Sequence, residues 1–204
     1  MLTLYHVKPT LQKLLRPLVR HLAHWGVTPN QITIAAIVLS GGGGLAIALY
    51  PTNPWPLLAL SPVLFVRMVL NALDGMLARE YRLASPLGCL LNEVGDVVAD
   101  ALLYLPLALV PGVSTGWIVV LVVLAILTEF IGVLGLAIAQ HRDYSGPFGK
   151  SDRAFVFGML GLAWGLGLPL GPWQVGIWSA LSALALLTLW HRSRAALREV
   201  TSCR

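Results

Sequence analysis

Polar and apolar residues do not alternate along this chain. The apolar ones run in long blocks, at about 31–50, 57–79, 88–111, 115–140, 153–169 and 173–190. About 20 apolar residues carry a helix across a bilayer, so each block is read as a membrane span. Lipid offers backbone groups no partner outside their own segment, so each span is predicted to be helical. Turn residues separate the blocks: PTNPWP at 51–56, ASPLG at 84–88, PGVSTG at 111–116 and GLPLGP at 167–172. Ahead of the first block, Leu11, Leu14, Leu15, Leu18, Val19 and Leu22 share one helical face and Lys13, Arg16 and Arg20 another. That pattern predicts an amphipathic helix lying on an anionic membrane surface.

Composition agrees. The chain has 204 residues, 57% hydrophobic and 11% charged, with a mean hydropathy of +0.77, which excludes an ordinary soluble domain. The basic residues set the expected orientation. Lys8, Lys13, Arg16 and Arg20 precede the first span, and Arg79 and Arg82 follow the second. Arg142, Lys150 and Arg153 follow the fourth, and Arg192, Arg194, Arg198 and Arg204 follow the sixth. The connections after the first, third and fifth spans carry neither Lys nor Arg. The positive-inside rule then places both termini in the cytoplasm. The expected fold class is an all-α integral membrane protein, with six transmembrane helices and an N-terminal interfacial amphipathic helix. One domain is expected over 1–204: an interfacial helix at 1–26, a membrane core at 27–191 and a cytoplasmic tail at 192–204. No cleaved signal peptide is expected, and the expected location is the bacterial inner membrane. Cys89 and Cys203 have no metal or redox spacing and read as reduced thiols.

Ionisable groups at membrane depth are costly, which makes Arg67, Asp74, Glu93, Asp96, Asp100 and Glu129 functional candidates. At about 100° per residue, Asn92, Glu93, Asp96 and Asp100 share one arc of the third span. Arg67, Asn71, Asp74, Gly75 and Ala78 share a similar arc of the second. A short loop joins the two spans, so these arcs are predicted to face each other. Gly75 and Ala78 leave room for a ligand. Carboxylate and amide oxygens together suit Mg²⁺, Mn²⁺ or Ca²⁺. A seam that merely packs helices would more often use Ser, Thr and Asn than several acids.

These residues carry a resemblance. Residues 71–96 read NALDGMLAREYRLASPLGCLLNEVGD. They resemble the CDP-alcohol phosphotransferase signature D-x2-D-G-x2-A-R-x8-G-x3-D-x3-D, with Asp74, Gly75, Ala78, Arg79, Gly88 and Asp96 in place. VTPNQIT at 27–33 resembles the family's GxTPNxIT segment before the first span. Asn71 and Asn92 stand where the family has its first and third signature aspartates. The resemblance implies transfer of a substituted phosphate, such as phosphatidyl, from a CDP-linked lipid donor such as CDP-diacylglycerol to an alcohol acceptor. CMP is released, in phospholipid synthesis.

It further implies Asp96 as the catalytic base and Asn71, Asp74, Asn92 and Asp96 as ligands of one or two Mg²⁺ or Mn²⁺ ions. Glu93 and Asp100, on the same face, could restore the charge missing at the two asparagines. Asp74, Gly75, Ala78, Arg79 and Gly88 would bind CDP, and family members are commonly homodimers. Arg142, Lys150 and Arg153, in HRDYSGPFGKSDRAF at 141–155, would bind the acceptor, which would then carry a phosphate.

Arg67, Glu129 and Asp100 are expected at similar depth, since each lies twelve residues, about 18 Å of helix, inside a span end. A structural ion pair of Arg67 with Glu129 or Asp100 follows. SGGGG at 40–44 and Gly158, Gly161 and Gly165 offer flat faces for packing or a dimer. The tryptophans read as interfacial anchors. Two other readings stay open: a catalytically weak or inactive CDP-binding relative, and a small transporter.

Overall fold

The computed structural model describes residues 8–139, 146–168 and 171–202. Among them it is wholly helical: α1 Lys8–His24, α2 Pro29–Leu49, α3 Pro54–Glu80, α4 Pro86–Tyr104, α5 Thr115–Ala139, α6 Lys150–Gly165 and α7 Gln174–Ser202. Short 3-10 segments, Leu105–Leu109 and Gly171–Trp173, follow α4 and precede α7. α2 begins where VTPNQIT demands it. Thr28 accepts from the Gln31 N–H, the Gln31 side chain accepts from the Thr28 N–H, and Pro29 occupies the first turn. α4 opens the same way, with Ser85 capping the Gly88 N–H and Pro86 behind it. It gives way to 3-10 geometry around Pro106, which cannot continue an α-helical ladder.

Each of the six apolar blocks corresponds to one of α2 to α7, but they are not six equal spans. Among the described residues, four stretches are long and apolar enough to cross a membrane: Pro29–Leu49, Pro54–Glu80, Thr115–Ile138 and Gln174–Arg198. α4 carries Glu93, Asp96 and Asp100 in its 19 residues. α6 has 16 residues, about 24 Å of helix against a hydrocarbon core of about 30 Å. α7 runs through residue 192 without a break to Ser202, so the expected core and tail share one helix.

α3 is central, packed against α2 on one side and α6 on the other, while α2 also meets α4 and α5 meets α7. The main core joins Leu60, Leu64, Leu103, Leu107, Ile118 and Trp178, with Tyr104 stacked on Phe157 at 4.2 Å. Trp178 is therefore a core residue and not an anchor, whereas Trp25, Trp55, Trp173 and Trp190 are exposed as expected. A second cluster seats Leu15 and Val19 of α1 on Leu73, Met76 and Leu77 of α3. Leu14 and Leu18 of α1 stay uncovered, so its apolar face is divided between α3 and the outside. Arg16 of α1 reaches Glu80 of α3 at 3.7 Å.

The glycine faces are used within the chain. A Cβ on Gly44 would overlap the Leu102 carbonyl oxygen, and one on Gly161 would stand 3.0 Å from the Leu57 carbonyl oxygen. α2 meets α4, and α3 meets α6, at backbone distance. Gly44 and Gly161 are thus used within the chain, whereas a Cβ at Gly42 would meet nothing within 4 Å.

Candidate functional site

Asp74 and Asp96 anchor the site from α3 and α4. The chain turns between those helices at 81–85, where Arg82 adopts φ 55° and the Leu83 N–H bonds the Ala78 carbonyl. α3 and α4 run antiparallel, so that Arg67 meets Asp100 while Asn71, one turn on, meets Asp96. Asn71 Nδ2 donates to Asp96 Oδ1 at 3.3 Å, and Lys150, first residue of α6, forms an ion pair with the same oxygen. This pair is only partly buried, with the two side chains 26% and 20% exposed.

Asp74 is buried and accepts from Thr33 Oγ1 at 2.9 Å. Thr33 is the last residue of VTPNQIT, and its hydroxyl also contacts the Pro29 carbonyl at 3.1 Å. The hydroxyl is thus held at the first turns of α2 and aimed at α3. The motif was legible in the sequence, but the role of Thr33 was not.

The expected CDP-binding residues lie where three helix ends meet. Asp74, Gly75, Ala78 and Arg79 occupy the last turns of α3, and Gly88 the first turn of α4. Arg79 folds back so that its Nη2 lies 3.1 Å from where a Gly75 Cβ would be. A Cβ at Gly88 would sit 2.7 Å from Asn30 Oδ1, so α2 reaches the same corner through its first turn. A side chain at 75 or 88 would crowd these neighbouring polar groups.

Below this corner lies a buried ion network. Arg67 Nη1 meets Asp100 Oδ1 at 2.5 Å, and Arg67 Nη2 donates to the Asp96 main-chain oxygen at 3.1 Å. Arg153 Nη2 meets Asp100 Oδ2 at 3.1 Å and Glu129 Oε1 at 2.9 Å, while its Nη1 donates to Thr128 Oγ1 at 3.1 Å. Arg192 reaches Glu129 at 3.5 Å and the Thr128 carbonyl at 2.6 Å. Five helices, α3 to α7, meet in these contacts.

The network bears on three expectations. Arg67 pairs with Asp100, one of the two partners expected; Glu129 is met by Arg153 and Arg192, because α6 and α7 bring their guanidinium groups to α5. Arg153 does not stand with Lys150 at the mouth of the site: it is 2% exposed and spent on Asp100 and Glu129. Asp100 is buried and engaged by two guanidinium groups, which places it in the ion network one turn beyond Asp96. Glu93 is half-buried on α4, one turn before Asp96. Arg142 lies outside the described residues.

The donor set is of the kind that suits a hard divalent cation. Asp74 and Asp96 supply two negative charges, and the amide oxygens of Asn71 and Asn92 can add neutral donors. Among the described residues, no three His, Cys, Asp or Glu side chains gather into a metal-holding group. Two asparagines within the set account for that. The Lys150 ammonium stands on Asp96 in this structure.

The chain is similar to known proteins in sequence and in fold. Residues 26–191 match the family described as CDP-alcohol phosphatidyltransferase. The inner membrane protein YnbA of Escherichia coli (strain K12) is 46% identical over 200 residues, covering 96% of this chain and 97% of that one. A protein of Aquifex aeolicus (strain VF5) is 30% identical over 160 residues, covering 74% and 76%. In fold, the chain is similar to phosphatidylinositol phosphate synthase of Mycobacterium tuberculosis. Its structure with CDP-DAG bound aligns with a TM-score of 0.71 at 22% identity, over 88% of this chain and 92% of that one. Its structure with manganese and citrate aligns at 0.72 and 22% identity, over 89% and 88%. The helical bundle, the signature residues on α3 and α4, and the match over 26–191 lead to one conclusion: the chain is a multi-pass integral membrane protein of the CDP-alcohol phosphatidyltransferase family.

Proposed function

We propose that this chain transfers a phosphatidyl group from a CDP-linked lipid such as CDP-diacylglycerol to an alcohol acceptor, releasing CMP. The observation that carries this reading is the Asp96–Lys150 ion pair between α4 and α6, with Asp74 on α3 next to the small-residue corner of Gly75 and Gly88. The donor is one of the ligands named for the structurally similar synthase, which was solved with CDP-DAG and, separately, with manganese.

Asp96 is the base. Its carboxylate takes the acceptor hydroxyl proton as the acceptor oxygen attacks the lipid-side phosphorus of the diphosphate. The bond from that phosphorus to the CMP oxygen breaks, and CMP leaves with the electron pair. Asp74 and Asp96, with Asn71 and Asn92 oxygens, would hold one Mg²⁺ or Mn²⁺, which supplies charge to the diphosphate when bound. Thr33 fixes the Asp74 carboxylate, and Arg79 and Asn30 line the corner that receives the CDP moiety. Among the described residues, Lys150 is a cation open to a phosphorylated acceptor. The site faces the cytoplasm, as the basic residues near the chain ends and at 79 and 82 direct.

The test is CMP release from CDP-diacylglycerol with Mg²⁺ or Mn²⁺, against a panel of alcohols and sugar phosphates, with lipid products read by mass spectrometry. Asp96→Asn should abolish release; equal activity in the two proteins removes Asp96 from the chemistry. A second reading, a CDP-binding relative without turnover, is favoured by Asn71 donating to Asp96 where a metal-holding carboxylate could stand. CMP binding without product from any acceptor would establish it.

A further inference from the structure

We propose that Arg67 is a positioning residue for Asp96, and that the buried ion network is the frame through which it acts. This rests on the reading of Asp96 as a site residue given above. Arg67 is 2% exposed and uses its guanidinium as a fork across the α3–α4 interface. One nitrogen is on the Asp100 carboxylate at 2.5 Å and the other on the Asp96 main-chain oxygen at 3.1 Å. A planar fork holds both at once in a fixed relative geometry, which a rotatable ammonium does not. It spans one full turn of α4, from the carbonyl of Asp96 to the side chain four residues later, and so fixes the rotation of α4 about its axis. That rotation decides whether the Asp96 carboxylate faces Asn71 and Asp74 or turns away.

The same carboxylate is tied from the other side. Asp100 also receives Arg153 at 3.1 Å, and Arg153 lies one turn into α6 from Lys150, whose ammonium sits on Asp96. Arg153 is itself anchored on Glu129 and Thr128 of α5. α6 therefore cannot slide past α4 without breaking the Arg153–Asp100 pair, and Lys150 is carried with it. Asp96 is gripped at its main chain from α3 and at its side chain from α6, and both grips pass through Asp100. Within this reading, the charges buried in the core orient the site; they do not line a path for solutes.

Two variants separate positioning from stability. Arg67→Lys keeps the charge but loses the fork. Arg67→Met combined with Asp100→Asn removes both charges, leaving no carboxylate or guanidinium of that pair stranded, and the new amide oxygen at position 100 can still accept from Arg153. Each is purified with the wild type in lipid nanodiscs. Melting temperature, kcat and KM for CMP release, and Mn²⁺ affinity by electron paramagnetic resonance are then measured. Groups that orient ligands and bases are worth about 10–100-fold in affinity or activity. The expected result is a double variant melting close to wild type, with kcat and Mn²⁺ affinity each down at least about tenfold and KM for the CDP lipid unchanged. Arg67→Lys should show the same split. A double variant, or a folded Arg67→Lys, with wild-type kcat and Mn²⁺ affinity would overturn the proposal and leave Arg67 a purely structural residue. If the wild type itself releases no CMP, the functional reading falls, and Mn²⁺ affinity alone still decides the role of Arg67.

Discussion

Arg67 of α3 and Asp100 of α4 are joined at 2.5 Å, with their side chains 3% and 5% exposed. A pair so buried contributes little over a well-packed apolar pair, but removing one member is severe, because the other is left charged without its partner. Asp100→Ala leaves both Arg67 and Arg153 short of a carboxylate. It should destabilise the protein by about 3–5 kcal/mol, seen as a large fall in melting temperature in detergent. An unchanged melting temperature would show that the network holds no fold energy.

Lys150 and Arg153 belong to the same turn of α6 but should behave oppositely. Lys150 is partly open and sits on the Asp96 carboxylate, whereas Arg153 is enclosed by Asp100, Glu129 and Thr128. Lys150→Ala should raise KM for a phosphorylated acceptor by about tenfold or more, as loss of a charge-assisted hydrogen bond of about 1.5–3 kcal/mol implies, while the protein melts as the wild type. Arg153→Ala should lower the yield of folded protein and the melting temperature. A stable Arg153→Ala with only a raised acceptor KM would return Arg153 to the mouth of the site.

The contrast between these two residues also marks where sequence reasoning stops. The apolar blocks reveal six helices because lipid and core both require continuous apolar faces. Asp74, Gly75, Arg79, Gly88 and Asp96 stand out because their spacing along two helices is fixed. The depth of Arg67, Asp100 and Glu129 was also readable, since helix rise is constant. Which guanidinium meets which carboxylate depends on how α3, α6 and α7 rotate against α4 and α5. Arg153 lies only about 4.5 Å of helix beyond Lys150, yet that carries it from the mouth into the buried network. Thr33 and Asp74 are 41 positions apart, and only the crossing of α2 over α3 brings them together.

Thr33→Val tests that crossing. The substitution keeps the shape but removes the hydroxyl that donates to Asp74 at 2.9 Å. A buried carboxylate oxygen then loses its donor, at about 1–3 kcal/mol. CMP release should fall by about tenfold or more, and Thr33→Ser should restore most of it. Equal rates for Val and wild type would remove Thr33 from the support of Asp74.

Gly44 and Gly42 make a matched pair on α2. A Cβ at 44 overlaps the Leu102 carbonyl, whereas at 42 nothing lies within 4 Å. Gly44→Ala should force α2 and α4 apart and cost about 1–3 kcal/mol. Gly42→Ala should gain up to about 1 kcal/mol of helix propensity. Melting both variants beside the wild type checks the α2–α4 interface directly, and a Gly44→Ala as stable as Gly42→Ala would mean that the two helices do not approach at backbone distance.

Asn71 is the position that best reveals how this site handles charge. Its amide donates to Asp96 at 3.3 Å, while Lys150 neutralises the same carboxylate. Asn71→Asp replaces that donor with a second carboxylate facing Asp96, so the two oxygens repel unless a cation lies between them. The variant should melt below the wild type in chelator. Added Mn²⁺ should raise its melting temperature more than it raises that of the wild type, because a ligand bound only by the folded state stabilises in proportion to its affinity. Asn92→Asp, one turn before Asp96, adds charge without removing that hydrogen bond and should show the gain with less of the loss. If Mn²⁺ moves all three proteins equally, residues 71 and 92 lie outside the cation's reach and the donor set reduces to Asp74 and Asp96.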